Sequence, residues 1–308
     1  MKKNAFTLVE LSIVLLITSI ILGIVLAFVA EKTDADKLEE TRYKIEQIDK
    51  AIRAYFIKNQ KIPCPSDGTL AFTNSNFGVA LRDTVNNYQC SNTLITSGSM
   101  KLGMVPVRTL NLADEFATDS WGRRFTYAII ESCNCKSNEA GCATQNFESD
   151  FCGVNVADRI TILGTSGGST IMSDAVLVII SHGRNGHGAF AQNGGSSRIV
   201  TKSGGISNDE LENSHLSAVG ANLGFDRTFV ARNQLYNDTP ASNFDDIVYY
   251  KNRIQLVTSI KALRTSQDPI CTYKNTSNFS TNICGDKTTA NCVTIYNSLL
   301  NNILCFDF

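Results

Sequence analysis

The chain has 308 residues and a formal net charge of −1, enough length for one sizeable core or two small ones. Charge this close to zero, with no basic stripe, excludes a broad nucleic-acid-binding field. A hydrophobic fraction of 43% with no acidic tail excludes a largely disordered chain.

The first element is an apolar run. Leu11 to Ala30 is twenty residues without a charge, preceded by Lys2 and Lys3. As a helix it would extend about 30 Å, the thickness of a bilayer's hydrocarbon core. The leading lysines would keep the N-terminus cytoplasmic and send the rest outward. Three readings compete: a membrane anchor, a secretory signal peptide cut after Val25-Leu26-Ala27, and a prepilin segment. The run is long for a signal peptide. Glu10 separates the other two, because a plain anchor gives a carboxylate at the lipid edge no purpose.

The segment "KKNAFTLVELSIVLLI" closely resembles the start of type IV prepilins and type II secretion pseudopilins. In that family a prepilin peptidase removes a short basic leader and methylates the new amine. The resemblance implies a cut between Ala5 and Phe6, with Ala5 standing where the family usually has Gly. It makes Glu10 the fifth mature residue, whose carboxylate pairs with the N-terminal amine of a neighbouring subunit. Phe6 and Glu10 are therefore the expected assembly residues. The implied partners are other pilin or pseudopilin subunits, the prepilin peptidase, an inner-membrane assembly platform and the inner membrane itself, with no nucleic acid indicated.

Beyond the run, residues 31–59 continue as an amphipathic helix. Leu38, Ile45, Ile48, Ile52 and Tyr55 form one apolar stripe, and Pro63-Cys64-Pro65 forbids further helix. After Pro65 the pattern turns to strands: "RFTYAII" (124–130), "RITILG" (159–164), "AVLVIISHG" (175–183) and "DIVYYKNRIQLV" (246–257). Residues 203–245 read as loop-rich. The fold class expected is α+β and pilin-like: a long N-terminal helix packed on an antiparallel sheet, with a disulfide-rich C-terminal region. The divisions are a leader 1–5, a membrane or filament-core helix 6–30, its amphipathic continuation 31–59, a globular β domain 60–264 and a C-terminal extension 265–308.

All ten cysteines follow the apolar run: Cys64, Cys90, Cys133, Cys135, Cys142, Cys152, Cys271, Cys284, Cys292 and Cys305. An even number confined to the exported side points to disulfides in an oxidising compartment. Zinc fits less well, since Cys133-x-Cys135 lacks the usual C-x2-C spacing and no histidine is near in sequence. Connectivity stays open; Cys271 with Cys284 and Cys292 with Cys305 are candidate neighbour pairs.

The resemblance continues in "IPCPSDG", "VPVRTLNLADEFATDSWGRRFTYAI", "VIISHGRNGHGA" and "NFDDIVYY", which look like segments of a subgroup of large prepilin-like proteins. The Asp-x-Trp-Gly-x-x-x-x-Tyr pattern from Asp119 to Tyr127 is also similar to the major pseudopilins. Those proteins hold calcium in a C-terminal loop, which makes Asp245 and Asp246 candidate calcium ligands by resemblance. The alternative is a capping pair, or a salt bridge to Arg123 or Arg124.

Three other constellations have blander readings. "GTSGG" (164–168) fits G-x-S-x-G around Ser166, but a second strand follows where a nucleophile elbow needs a helix, so a hairpin loop is expected. His182 and His187 lie in a glycine-rich tight turn rather than a metal motif. Arg123-Arg124 reads as a solvated or ion-paired surface pair, and the Asn-x-Ser/Thr sites as products of composition.

The reading is a non-enzymatic structural subunit of a type IV pilus-like or type II secretion filament. It would sit in the inner membrane with a periplasmic domain before assembly, and in a periplasmic or extracellular filament afterwards. The alternatives are a membrane-anchored periplasmic binding module or enzyme that does not polymerise, and an enzyme released after Ala27.

Overall fold

The computed structural model describes residues 8–59, 61–83, 89–134, 159–195, 197–200, 206–216, 226–235 and 242–265, with the backbone alone for 22–33 and 260–265. Helix α1 runs Leu8–Asn59, 52 residues, or about 78 Å at 1.5 Å per residue. Its two halves differ. From Leu8 to Ile21 the large apolar side chains are 49–86% exposed. From Thr41 onward one stripe is buried: Thr41, Ile45, Ile48, Ile52 and Phe56 recur at steps of three and four. The helix ends where Asn59 Nδ2 donates back to the Tyr55 carbonyl at 2.8 Å, just ahead of Pro63.

Among the described residues seven strands form one sheet: β1 Ile95–Ser97, β2 Met100–Met104, β3 Thr126–Ile130, β4 Ile160–Leu163, β5 Thr170–Ser181, β6 Thr228–Val230 and β7 Ile247–Asn252. The twelve-residue β5 is its spine. Ala175 pairs with both Ile160 and Asn252, and Val178 with both Ala128 and Tyr250. So β7 occupies one edge of β5, while β3 and β4 follow one another along the other edge. The ribbon β3–β2–β1 and the ribbon β4–β6 therefore curl past each other. A Cβ on Gly98, in the β1–β2 turn, would strike the guanidinium of Arg227 at the entry to β6. The β4–β6 pair is parallel, so the sheet is antiparallel-rich and not wholly antiparallel.

β2, β3 and the second half of β5 are buried throughout and share one core with the α1 stripe. Each fully buried Val, Leu, Ile, Phe or Met among them stabilises the fold by about 1.5–3 kcal/mol relative to exposure. A polar triad fixes α1 to the sheet. Asp49, 4% exposed, takes Lys251 Nζ at 2.8 Å and Arg53 Nε at 3.0 Å. Removing one partner of so buried a pair typically costs about 3–5 kcal/mol.

Beside the short 3-10 helices Asp114–Ala117 and Glu131–Asn134, the described residues include two further α-helices, α2 Asn208–Ser214 and α3 Arg253–Thr265. Both correct the sequence reading. The strand expected over 246–257 stops at Asn252. There Gln255 N donates to Asn252 Oδ1 at 2.8 Å, and Asn252 N donates to Gln255 Oε1 at 3.0 Å. This reciprocal capping box starts α3 and overrides the β-branched run. Likewise α2 lies within a stretch read as loop. Ser207 caps it by accepting from Glu210 N at 3.3 Å.

Cys64 and Cys90 form a disulfide with Cα atoms 5.5 Å apart, and Cys133 is also disulfide-bonded. No free thiol occurs among the described residues. The other seven cysteines, with the candidate C-terminal pairs, lie outside the described residues.

Candidate functional site

The first candidate site is the start of α1. Ala5 and Phe6 lie outside the described residues; Glu10 stands in the first helical turn at an exposed position. Every other side chain from Leu8 to Ile21 is apolar or a hydroxyl. Those hydroxyls turn inward. Ser12 Oγ donates to the Val9 carbonyl at 2.8 Å, Thr18 Oγ1 to Val14 at 2.9 Å, and Ser19 Oγ to Leu16 at 2.8 Å. They satisfy themselves on the helix's own carbonyls, as such groups do where water is absent. What remains outward, apart from Glu10, is apolar on all sides.

Among residues with described side chains, no helix is long and apolar enough to cross a membrane. The uncharged run in the sequence continues to Ala30, past the last described apolar side chain at Ile21.

The second candidate site lies in the folded part, where the 182–188 turn, α2 and the start of β7 meet. Asp119 anchors its floor. Asp119 Oδ1 accepts from Trp121 N at 3.0 Å and Arg123 N at 2.8 Å, and Oδ2 accepts from Ser181 Oγ at 2.6 Å. Burial nevertheless pushes its carboxyl up to about 6. Next to Ser181, His182 shares a hydrogen bond between Nε2 and Thr126 Oγ1 at 2.8 Å and faces Asp246 Oδ1 with Nδ1 at 3.8 Å. The order Thr–His–Asp imitates a nucleophile triad. Yet Thr126 and His182 are 0% exposed and Asp246 1%, so no substrate reaches them and the group holds β3, β5 and β7 together instead.

The turn after His182 is as tight as its glycines suggested. Gly183, Gly186 and Gly188 all have positive φ, and a Cβ on Gly183 would strike the Asp245 carbonyl. His187 sits on this turn, with its backbone N–H donating to Asn185 Oδ1 at 2.8 Å. Ser166 lies in the β4–β5 hairpin loop. Its hydroxyl donates to Glu212 Oε2 at 3.2 Å and its amide to Asp209 Oδ1 at 2.7 Å, so the pairing with a histidine that a hydrolase needs is not made.

Asp245 and Asp246 are buried at 2% and 1% exposure. Asp245 Oδ2 accepts from Asn185 N at 2.8 Å, and Asp246 Oδ2 from Asn213 Nδ2 at 2.8 Å. Neither meets Arg123 or Arg124. Among the described residues no three acidic, histidine or cysteine side chains are arranged to hold a metal ion, so calcium gains no support here. Arg124 is a correction: it is fully buried. Its guanidinium donates to the carbonyls of Gly68, Leu70 and Gln192 at 2.6–3.2 Å. It also lies 5.1 and 4.9 Å over the Phe72 and Phe77 rings. Carbonyl oxygens and ring faces suit a planar five-donor cation as well as a carboxylate does.

The sequence reading missed Glu210, Asn185 and Asn213. Glu210 Oε1 accepts from Asn185 Nδ2, Asn243 Nδ2 and Asp245 N at 3.0–3.3 Å, and Asn213 ties β6 to Asp246. The available signal was the Ser207-x-x-Glu210 spacing, which announces a helix start.

Residues 1–26 match the family model described as the prokaryotic N-terminal methylation motif. No curated protein and no solved structure matches the chain.

Proposed function

We propose that this chain, which opens with the methylation motif of type IV pilin- and pseudopilin-type precursors, is a filament subunit assembled through its N-terminal helix. The motif marks a membrane-anchored precursor, cut by a prepilin peptidase and assembled with other pilin-like subunits in general. The finer reading is a pilin-like subunit whose helix over 6–30 waits in the inner membrane and then packs in a filament centre. Residues 31–59 would join it to an outer domain, and 265–308 would form an extension.

The observation that carries this reading is the match over 1–26 together with a helix that is apolar all round from Leu8 to Ile21 and carries one carboxylate, Glu10. Magnitudes support an anchor. Each buried Leu, Ile or Val gains about 1.5–3 kcal/mol, whereas an acidic residue even at a membrane helix centre costs about 2.5–3.5 kcal/mol on insertion scales. Insertion therefore tolerates Glu10 without needing it, and the residue calls for a second role.

Intact-mass and N-terminal peptide analysis of the native protein is the test. The expected mature chain begins at a methylated Phe6. An intact Met1, or a start at Phe28, overturns the reading.

A further inference from the structure

The polar contacts that join α1 to the rest of the molecule are spaced in order along the helix. Near its C-terminal end Tyr55 Oη accepts from Arg82 Nη2 at 2.7 Å, and Asp49 takes Lys251 Nζ at 2.8 Å. Lys44 Nζ donates to the Thr118 carbonyl at 3.3 Å, and Thr41 Oγ1 accepts from the Ser120 amide at 3.2 Å. Among the described residues the contact nearest the N-terminus is that of Asp34, whose Oδ2 takes Arg184 Nη1 at 3.3 Å. Asp34 follows the end of the uncharged run, Ala30, by four residues, or about 6 Å along the axis. A bilayer about 40–45 Å thick with a core of about 30 Å has headgroup layers of about 5–7 Å. When the run spans the core, Arg184 therefore stands at headgroup depth. The turn that carries it is held firmly: Gly186 N donates to the His182 carbonyl at 2.9 Å, Asn185 N to Asp245 Oδ2 at 2.8 Å and His187 N to Asn185 Oδ1 at 2.8 Å. The Arg184 side chain is nevertheless 68% exposed.

We propose that Arg184 binds the phosphate of a zwitterionic phospholipid headgroup, so that the 182–188 turn seats the folded domain on the bilayer before assembly. The inference rests on the anchor reading of α1 and adds a lipid partner to it. Among the described residues the Arg184 guanidinium meets Asp34 alone, through Nη1, and an exposed ion pair of this kind is weak. The Nε–Nη2 edge is left to take two phosphate oxygens side by side. Arg108 uses that same edge on the Asp114 carboxylate, at 2.9 and 2.7 Å. Charge selects the headgroup. From Glu31 to Glu40 the helix carries five acidic residues against two lysines, a field that repels an anionic lipid. A zwitterionic headgroup offers its phosphate to Arg184 and its ammonium to these carboxylates.

Carbon–phosphorus dipolar recoupling in solid-state NMR tests this. The full chain, with its arginines labelled with carbon-13 at Cζ, is reconstituted in phosphatidylethanolamine–phosphatidylcholine bilayers in phosphate-free buffer. Flotation establishes that protein and lipid travel together. Part of the Cζ signal should be dephased by phosphorus, and Arg184→Gln, a change at an exposed side chain, should abolish that part. Asp34→Asn, which frees the guanidinium, should keep it. No dephasing in a native chain that floats, dephasing undiminished in Arg184→Gln, or its loss in Asp34→Asn overturns the proposal and leaves the anchor standing. Dephasing that appears only after phosphatidylglycerol is added also overturns it, because the partner would then be an anionic lipid. A chain that does not float overturns the anchor reading and this inference with it.

Discussion

Glu10 is the one charged side chain between Leu8 and Ile21, a stretch in which Ser12, Thr18 and Ser19 fold their hydroxyls back on their own backbone. If it pairs with a neighbour's terminal amine about 4 Å away, the attraction is roughly 4 kcal/mol at an effective dielectric of 20. Glu10→Ala is therefore expected to leave expression, insertion and the disulfides intact, while reducing the amount of protein in sheared filaments relative to its membrane level. Wild-type assembly by the variant would favour the anchored module that does not polymerise. Asp49 has the opposite character: it is buried, double-paired with Lys251 and Arg53, and internal to one chain. A carboxylate in one half of α1 is thus exposed on an apolar helix, and one in the other half is buried and binds the helix to the sheet.

At the level of elements, α3 depends on a cap. Asn252→Ala removes the acceptor for the Gln255 amide and should cost about 1 kcal/mol, read as a lower denaturation midpoint with unchanged m-value. The sequence carried most of α1, because Ile45, Ile48 and Ile52 keep one period and Pro63 stops it, although Phe56 and not Tyr55 completes the buried stripe. It carried β3, β4 and β5 through their β-branched runs, which are buried on both faces in β3 and the second half of β5 and on alternate residues in β4. It hid β1 and β6, which have three residues each and exist only because longer neighbours hold them. α2 and α3 were missed although Ser207-x-x-Glu210 and Asn252-x-x-Gln255 are both capping boxes; the surrounding polar or β-branched residues drew the reading elsewhere. Arg124 illustrates a deeper limit. Nothing in its neighbours along the chain reveals that the carbonyls of Gly68, Leu70 and Gln192 converge on it from elsewhere.

For the whole molecule, buried ionisable groups oppose one another. Asp119, pushed up to about 6, stabilises the fold fully below its ordinary carboxylate range and loses that contribution as pH rises through 6. Glu210 does the same through about 7, and burial raises Asp246 further. His215, pushed down to about 4 by burial, contributes fully above about 6.5 and loses its contribution as pH falls toward 4. The two sets offset each other from about pH 4 to 6.5, and above that only the carboxyls still titrate. Melting temperature should therefore peak near about pH 6 and fall by about 2–4 °C toward pH 8.5, for a loss on the order of 1 kcal/mol. A melting temperature still rising at pH 8.5 would contradict the assignment of these groups.

The Asp49–Lys251 contact joins residues 202 positions apart, and β7, which carries Lys251, pairs with the spine strand β5 from Ala175 to Ser181. A ribosome makes α1 first and β7 nearly last. Until residue 252 has emerged, the stripe of Ile45, Ile48, Ile52 and Phe56 has no complete sheet to lie on, and Asp49 has no lysine. The long-range closure that gives the finished fold its cohesion therefore leaves a long interval in which greasy surface is uncovered. The interval between the synthesis of α1 and the closure of β7 is therefore the one in which aggregation competes with folding.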